Sequence, residues 1–293
     1  MQPRENEWQL VLFTILTQMA VGTFTFWGLA TLLVPTPDPF SEGLYPLVLL
    51  AVVLTLLASG TLSAGLHLGR PSHAVFSISN LHRSWLSREA LLGGGFGLIG
   101  LILLIRRGLG SPYSALDEIF ILAGMICGLA LVYSISRLYM LRTVPAWNNF
   151  GTPATFFMTT FLLGTVAMTM VWLGLAFWDD AYAIDLDLNK VVVISTVLIL
   201  LFAAIQLGIF IFEVLYLNSL GGAAADSIRL LWTDLGGILI WRCVTAFVGV
   251  GVLVIKLIIW LPPLSFSLAF GLILVSEILG RFLFYGFYRR EGF

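Results

Sequence analysis

Long stretches of the chain contain no Asp, Glu, Lys or Arg and are separated by short polar segments. The charge-free stretches are residues 9–37, 43–69, 143–178, 191–212 and 257–276. Because about 20 predominantly apolar residues cross a bilayer as an α-helix, this pattern predicts membrane-spanning helices. We place eight of them at residues 9–33, 44–66, 89–105, 116–140, 153–177, 191–217, 240–261 and 264–288. The chain lacks the short alternating segments of a transmembrane barrel, so the predicted fold class is all-α integral membrane.

The predicted helices form a single polytopic domain over residues 1–293 and leave no room for a separate soluble domain. Pro262 and Pro263 separate the last two helices so closely that these must form an antiparallel hairpin. Eight helices also suffice for two four-helix groups, which we keep as a hypothesis for the arrangement. The first apolar stretch is too long for a cleaved signal peptide and lacks a small-residue cleavage site, so we interpret it as the first span.

Composition supports a membrane protein and excludes several other classes. The chain is 59% hydrophobic and 11% charged, with a mean hydropathy of +1.00, whereas soluble domains carry about 25% charged residues. A soluble enzyme and a disordered chain are therefore excluded. The net charge of −1 gives no polybasic surface for nucleic acid. Any large catalytic domain that acts with this chain must come from other subunits.

The distribution of basic residues predicts the orientation of the chain. An even number of spans places both termini on the same side of the membrane. Eleven basic residues fall on that side: Arg4, Arg70, Arg83, Arg88, Arg137, Arg142, Arg229, Arg242, Arg281, Arg289 and Arg290. Four fall on the other side: Arg106, Arg107, Lys190 and Lys256. Since loops rich in Lys and Arg stay in the cytoplasm, we expect cytoplasmic termini.

The residues that could hold a permanent cofactor are few. Cys127 and Cys243 are the two cysteines, whereas an ordinary iron–sulfur cluster needs four thiolates and a structural zinc site needs a comparable set. All three histidines lie outside the middle of the predicted spans, so a haem with two axial histidines is not expected. We therefore expect no metal and no resident redox centre in this chain.

One polar segment, between the second and third spans, contains all three histidines: His67, His73 and His82. His67 ends the second predicted helix, and Glu89 begins the third, so both are expected at the same membrane boundary. Imidazole titrates near physiological pH, and a carboxylate at a membrane boundary can relay a proton. Such a pair suits a quinol, which enters from lipid and exchanges protons with water. The alternative is a solvated loop in which the histidines serve no ligand.

Several charged residues fall inside predicted spans, among them Glu213, Glu277 and Arg281, and a charge there costs about 2.5–3.5 kcal/mol and needs a partner or a watery cavity. Glu277 and Arg281 are four residues apart and share one helix face. They form either an internal ion pair that locks helices together or part of a ligand cavity or docking contact. Glu213 in the sixth span is either part of a proton path or a buried neutral acid.

Short motifs along the whole chain carry a resemblance to a known family. They are Glu7-Trp8, Leu66-His67-Leu68-Gly69-x-Pro71, Leu86-Ser87-x-Glu89, Thr143-Val-Pro-x-Trp147 with Thr152-Pro153, and Glu277-x-x-Gly280-Arg281-x-x-Phe284-Tyr285-Gly286. In order and spacing the chain resembles the DmsC family, the membrane anchor subunits of dimethyl sulfoxide reductase and related molybdoenzymes.

This resemblance implies a multi-pass subunit of a bacterial or archaeal cytoplasmic membrane that acts in anaerobic respiration. Such anchors bind no haem. They hold an iron–sulfur subunit and a molybdopterin catalytic subunit, oxidise menaquinol, and pass its electrons to the iron–sulfur partner. The terminal substrate is reduced by the catalytic partner and not by the anchor. The residues matching His67 and Glu89 are associated with menaquinol in the family, and Arg70, Ser87 and Arg88 join them here by position alone.

Other functions remain open at this level. In one alternative the electrons flow in the opposite direction, and the anchor delivers them from a dehydrogenase-type complex into quinone. A secondary transporter would place substrate groups in mid-membrane, whereas the polar groups here gather at one boundary. A purely structural anchor would bind no quinol at all.

Overall fold

The computed structural model describes residues 7–34, 40, 41, 43–67, 80–178, 188–259 and 264–289, without the side chains of residues 7, 66, 67, 188 and 189. Within these ranges all regular structure is helical. The helices are α1 (Glu7–Leu33), α2 (Leu44–His67), α3 (Trp85–Gly108), α4 (Ala115–Tyr139), α5 (Gly151–Trp178), α6 (Leu188–Leu220), α7 (Gly222–Thr233), α8 (Gly236–Ile258) and α9 (Leu264–Gly286).

The eight predicted membrane spans are confirmed. All helices except α7 are long and apolar enough to cross a membrane, and their ends lie within four residues of the predicted ends. The proline turn at 262–263 lies outside the described residues, but α8 and α9 on either side of it pack closely against each other, as the predicted hairpin requires.

Helix α7 is the element that the sequence prediction assigned to a loop. Its buried positions are Ala224, Ser227, Ile228 and Leu231, which is the spacing of one apolar stripe on a short helix. Asp226, Arg229 and Trp232 lie on its exposed side. Gly221 and Gly222 have positive φ angles of 69° and 52°, which glycine adopts without strain. These two residues let the chain turn directly from the end of α6 into α7.

The spans pack around two apolar cores that share helices. The first core lies among the group α1 to α4 and also includes Phe156, Trp172 and Leu175 of α5, and the second lies among the group α5, α6, α8 and α9 and also includes Val11 and Ile15 of α1. The groups meet along α1 and α5. At the crossing, Gly22 and Gly164 face each other, and a Cβ atom on either would overlap the other helix's backbone. Small residues of this kind let membrane helices approach closely.

The two ends of the bundle carry different side chains and are named by their position. The terminal face is the end at which α1 begins and α9 ends, and it also holds the α2 C-terminus, the α3 N-terminus and α7. The opposite face holds the end of α3 and the start of α4. Of the described basic residues, only Arg106, Arg107, Lys190 and Lys256 belong to the half of the bundle next to the opposite face.

Candidate functional site

The N-terminus of α3 positions the acidic residue of the predicted site. Ser84 is the N-cap, and its Oγ accepts a hydrogen bond of 3.2 Å from the Ser87 backbone N–H. Helix α3 therefore starts four residues before the predicted boundary, and Glu89 lies one turn inside it rather than at its first residue. The first-turn N–H groups, which stabilise a carboxylate at a helix start, are thus further from Glu89 than the sequence suggested.

The Glu89 side chain reaches the interior of the bundle. Its Oε2 atom is buried and has no hydrogen-bond partner within the described protein. A buried polar atom without a partner costs about 1–3 kcal/mol, and more when it carries charge. Most such atoms in proteins are paired, so an unpaired carboxylate oxygen inside a membrane boundary marks a candidate site for a ligand or a proton.

Two tyrosines lie at the same end of the bundle as Glu89. Tyr139 is the last residue of α4, and Tyr285 lies one residue before the end of α9. The Tyr285 hydroxyl donates a hydrogen bond of 2.9 Å to the Tyr139 hydroxyl. The two hydroxyls therefore join the ends of α4 and α9 at the terminal face.

Aromatic rings hold this tyrosine pair in place. The Tyr139 ring packs against the rings of Trp147, Phe156 and Phe284, with centroid distances of 6.1, 5.9 and 5.7 Å. Trp147 Nε1 donates a hydrogen bond of 2.8 Å to the Phe284 carbonyl. The loop between α4 and α5 is thus fixed to α9, and its tryptophan forms one wall of the site.

Arg281 lies one helical turn deeper than Tyr285 and is only 3% exposed. Its Nη2 donates a hydrogen bond of 2.8 Å to Gln18 Oε1, and its guanidinium carbon lies 3.8 Å from the centroid of the Phe156 ring. The Nε and Nη1 atoms are buried and have no hydrogen-bond partner within the described residues. The site therefore contains a second charged group whose hydrogen-bonding capacity is only partly used.

Glu277 does not form a direct ion pair with Arg281, although the two share a face of α9. Glu277 Oε2 instead accepts hydrogen bonds of 2.6 Å from Thr159 Oγ1 and 3.0 Å from Gln206 Nε2. Because Arg281 bonds to α1 while Glu277 bonds to α5 and α6, the two charges tie α9 to three different helices. Their positive and negative charges interact at longer range.

The remaining predicted site residues lie at or near the terminal face. His67 is the last residue of α2, at that face as expected, but its side chain lies outside the described residues, as do Arg70 and His73 entirely. Ser87 is buried. The Arg88 side chain donates hydrogen bonds of 2.8 and 3.0 Å to the carbonyls of Leu81 and His82, so in this structure it fixes the turn that precedes α3.

Glu213 lies in a separate narrow cleft at the terminal face. Its carboxylate contacts Gly151 at the start of α5, where the helix dipole favours a negative charge. Arg242 lines the same cleft, which has a volume of about 40 Å³ and is bordered by Ile228 and Leu231 of α7. Ligand pockets usually measure about 300–1,000 Å³, so this cleft is too small for a quinol ring.

The inner part of the site was not predicted from the sequence. Tyr139 and Tyr285 fall at helix ends, where aromatic residues usually anchor a membrane protein at the interface. Gln18 has no feature that separates it from other polar residues inside a span. One signal was present: Arg281 and Tyr285 are four residues apart and therefore share a helix face.

Together, the fold and this site define a polytopic membrane subunit whose buried charged and tyrosine side chains gather near one face. A family model described as "DMSO reductase anchor subunit (DmsC)" matches residues 1–287. The chain therefore belongs to the DmsC family of membrane anchor subunits, as its motifs suggested.

Individual relatives agree with this assignment. The chain is 27% identical over 292 residues to the YnfH protein of Escherichia coli strain K12, an anaerobic dimethyl sulfoxide reductase subunit, covering 98% of this chain and 96% of that protein. It is 30% identical over 301 residues to the C subunit of the E. coli K12 anaerobic dimethyl sulfoxide reductase, with the same coverage. The corresponding C subunit from Haemophilus influenzae is 30% identical over 159 residues, which cover 54% of this chain and 56% of that protein.

Proposed function

We propose that this chain is the quinol-oxidising membrane anchor of a molybdoenzyme complex. Menaquinol binds at the terminal face, between the C-terminus of α2 and the N-terminus of α3. An iron–sulfur subunit accepts its electrons, and a molybdopterin subunit uses them to reduce the terminal substrate. Membership of the anchor family supports the complex, and the buried Glu89 Oε2 atom, which has no hydrogen-bond partner among the described residues, is the observation that supports the site.

In this proposal, oxidation of one quinol releases two protons and two electrons. His67 accepts one proton and Glu89 accepts the other, while the electrons leave one at a time to the iron–sulfur partner. A general base must lie within hydrogen-bond reach of the proton it takes. The positions of α2 and α3 support this, since both residues belong to helix ends at the terminal face. Ser87, Arg88 and Arg70 belong to the same segment and complete the proposed binding set.

An apolar cleft elsewhere in the described part of the chain does not compete with this site for the reacting ring. It has a volume of about 360 Å³ and is lined by apolar residues of α1, α2, α5 and α9, including Val48, Val52, Leu175 and Phe270. These lie in the half of the bundle nearer the opposite face. Because no side chain lining this cleft can accept a proton, it offers no chemistry for quinol oxidation.

The excess of arginine at the terminal face supports cytoplasmic termini. Electron transfer also requires the acceptor to lie near the quinol, so we place the iron–sulfur partner against the terminal face. The terminal substrate is then set by the molybdopterin subunit.

The test is Glu89→Gln in the intact complex, with Glu118→Gln as its matched control. Glu118 lies in the first turn of α4 at the opposite face and is exposed. We expect the Glu89 variant to lose quinol-dependent substrate reduction by about 100-fold or more, the usual effect of removing a general base. Activity with an artificial donor that reduces the iron–sulfur subunit directly should persist in both variants. Normal quinol turnover in the Glu89 variant would leave a purely structural anchor as the better account.

A further inference from the structure

One tryptophan and two arginines meet where α3 begins and α4 ends, at the terminal face. The guanidinium carbon of Arg88 lies 4.1 Å from the centroid of the Trp85 ring, and that of Arg137 lies 5.3 Å from it. The Tyr133 ring packs edge-on against the same indole, with a centroid distance of 5.8 Å. The negative face of an aromatic ring attracts a guanidinium at such distances. A single indole therefore holds two positive charges close together.

The described side chains do not neutralise these two charges. Within the described ranges, neither guanidinium lies within ion-pair distance of a carboxylate. Arg137 Nη1 makes a 3.5 Å contact with the thioether sulfur of Met140, and its Nε has no hydrogen-bond partner in the same part of the chain. Arg88 uses Nε and Nη2 for two backbone carbonyls, which carry no net charge. The cluster therefore has a positive charge that an external anion can balance.

Arg137 continues the outward side of α4. The exposed residues Ile119, Leu122, Ile126 and Tyr133 follow one another at intervals of three, four and seven residues, which places them on one side of the helix. Arg137 lies four residues after Tyr133, on the same side and close to the terminal end of α4. Because α4 is one of the membrane spans, this exposed apolar stripe faces lipid.

The neighbouring helix α3 has the same arrangement. Leu91, Leu98 and Ile105 are exposed at intervals of seven residues, and Arg88 lies one helical turn before Leu91. Both apolar stripes therefore end in an arginine at the terminal face. Tryptophan and tyrosine side chains concentrate at this depth of a membrane, where the hydrocarbon meets the polar headgroups. A phospholipid whose acyl chains lie along the two stripes has its phosphate at the level of the arginines.

We propose that Arg137, Arg88 and Trp85 form a binding site for the headgroup of an anionic phospholipid. The lipid phosphate accepts hydrogen bonds from guanidinium groups, which match its geometry and stay charged at physiological pH. The acyl chains lie along the exposed stripes of α3 and α4. Because the stripes run along the side of the bundle, a partner subunit on its terminal face leaves them in contact with lipid. The inference is independent of the proposed quinol oxidation, since it involves no reaction.

The test uses the intact complex purified in detergent and measures bound lipid by native mass spectrometry. Phosphatidylglycerol is compared with phosphatidylcholine of the same acyl chains, because only the former has a net negative charge. We expect the wild-type complex to bind phosphatidylglycerol more tightly. Inorganic phosphate at the same concentration should not displace it, because the acyl chains contribute to binding. Equal binding of the two lipids, or displacement by inorganic phosphate, would overturn the proposal.

Arg137→Gln removes one guanidinium from the site and leaves the residues assigned to quinol in place. We expect about fivefold weaker binding of phosphatidylglycerol, the usual effect of one basic residue beside an anionic lipid. Arg137→Lys keeps the charge and should retain most of the affinity. The matched control is Arg229→Gln, because Arg229 is an exposed arginine of α7 at the same face. Equal losses in the two glutamine variants would show a response to overall charge, and the local site would then be wrong.

A photoactivatable phosphatidylglycerol locates the lipid on the wild-type complex, so the test does not depend on the folding of any variant. We expect crosslinks to exposed residues beside the cluster, such as Leu86 and Tyr133. Crosslinks confined to helices other than α3 and α4 would contradict the proposed position. If Arg137→Gln releases a partner subunit while lipid binding stays unchanged, the arginines bind protein and the lipid site is wrong.

Discussion

The two ends of the bundle use buried charges in different ways. At the opposite face, Asp117 is 1% exposed and its carboxylate oxygens lie 2.8 Å from Arg106 Nε and 2.9 Å from Arg107 Nη2. The same carboxylate accepts hydrogen bonds from the backbone and hydroxyl of Ser114. At the terminal face, by contrast, Glu89 Oε2 and two nitrogen atoms of Arg281 are buried without a hydrogen-bond partner among the described residues. Arg107 Nη2 at the opposite face also makes no hydrogen bond there, but the Asp117 carboxylate lies 2.9 Å from it.

This difference separates charges that hold the fold from charges that are available to a ligand or a proton. A buried charge is tolerated when its partners saturate it, and removing one partner is then strongly destabilising. The Asp117 cluster fits that description and links the ends of α2, α3 and α4, since Arg107 also donates a 3.2 Å hydrogen bond to the Ser41 carbonyl. The Glu89 carboxylate does not have a full set of hydrogen-bond partners among the described residues. Its contribution to the stability of the fold is therefore small, and it is available to a ligand or a proton.

The largest effect on stability is expected from breaking the saturated cluster. Asp117→Ala leaves Arg107, whose side chain is 8% exposed, without its carboxylate, and losing one partner of a buried ion pair costs roughly 3–5 kcal/mol. We expect a marked fall in the thermal unfolding temperature of the purified complex in detergent. The control is Asp226→Ala on α7, because its 3.9 Å ion pair with Arg229 is exposed and such pairs contribute about 0–1 kcal/mol. Equal unfolding temperatures of the two variants would show that a buried charge with a full set of partners does not stabilise the fold more than an exposed ion pair.

The next largest effect is expected on turnover at the terminal face. His67→Ala should lower quinol-dependent reduction by about 100-fold, because it removes a general base from the proposed site, while assembly of the complex is retained. The control is His82→Ala, since His82 is exposed in the turn before α3. Quinol turnover and copurification of the partner subunits are measured for both. Unchanged turnover in the His67 variant would remove this residue from the mechanism.

The helices were predictable because the bilayer imposes a simple rule on them. A segment of about 20 apolar residues must satisfy its backbone internally, so charge-free stretches locate the spans directly. The predicted ends of α2, at 44 and 66, differ from the observed Leu44–His67 by one residue. Helix α7 was not predicted because its 12 residues are too few to cross a bilayer, and its four buried residues, three of which are apolar, lie within a polar connection.

The site was predictable only where its residues are close in sequence. The pairing of helix ends near His67 and Glu89 follows from short connections, although α3 begins at Trp85, four residues before the predicted start. The bonds between Gln18 and Arg281 and between Tyr139 and Tyr285 join residues 263 and 146 positions apart. Such contacts depend on how helices rotate about their axes, which packing decides. For the same reason, helical spacing correctly placed Glu277 and Arg281 on one face but could not show that they bond to different helices.

The smallest effect provides the sharpest comparison, because both faces contain a serine at a helix N-terminus. Ser84 caps α3 one turn before Glu89, and Ser114 precedes α4 and bonds to Asp117. Each serine-to-alanine change should cost about 1 kcal/mol of stability through the lost cap. Ser84→Ala should also slow quinol oxidation several-fold, because fraying of the first turn of α3 displaces Glu89, whereas Ser114→Ala should change stability alone.

This pair of variants is measured by thermal unfolding and by quinol turnover of the same preparations. Since a tenfold rate change corresponds to about 1.4 kcal/mol, a loss of about 1 kcal/mol in the placement of Glu89 predicts roughly a fivefold slower reaction. Slower turnover in both variants would mean that overall stability limits the enzyme complex. Slower turnover in Ser84→Ala alone ties activity to the α3 N-terminus, because Ser114→Ala instead disturbs the opposite face and its hydrogen bond to Asp117.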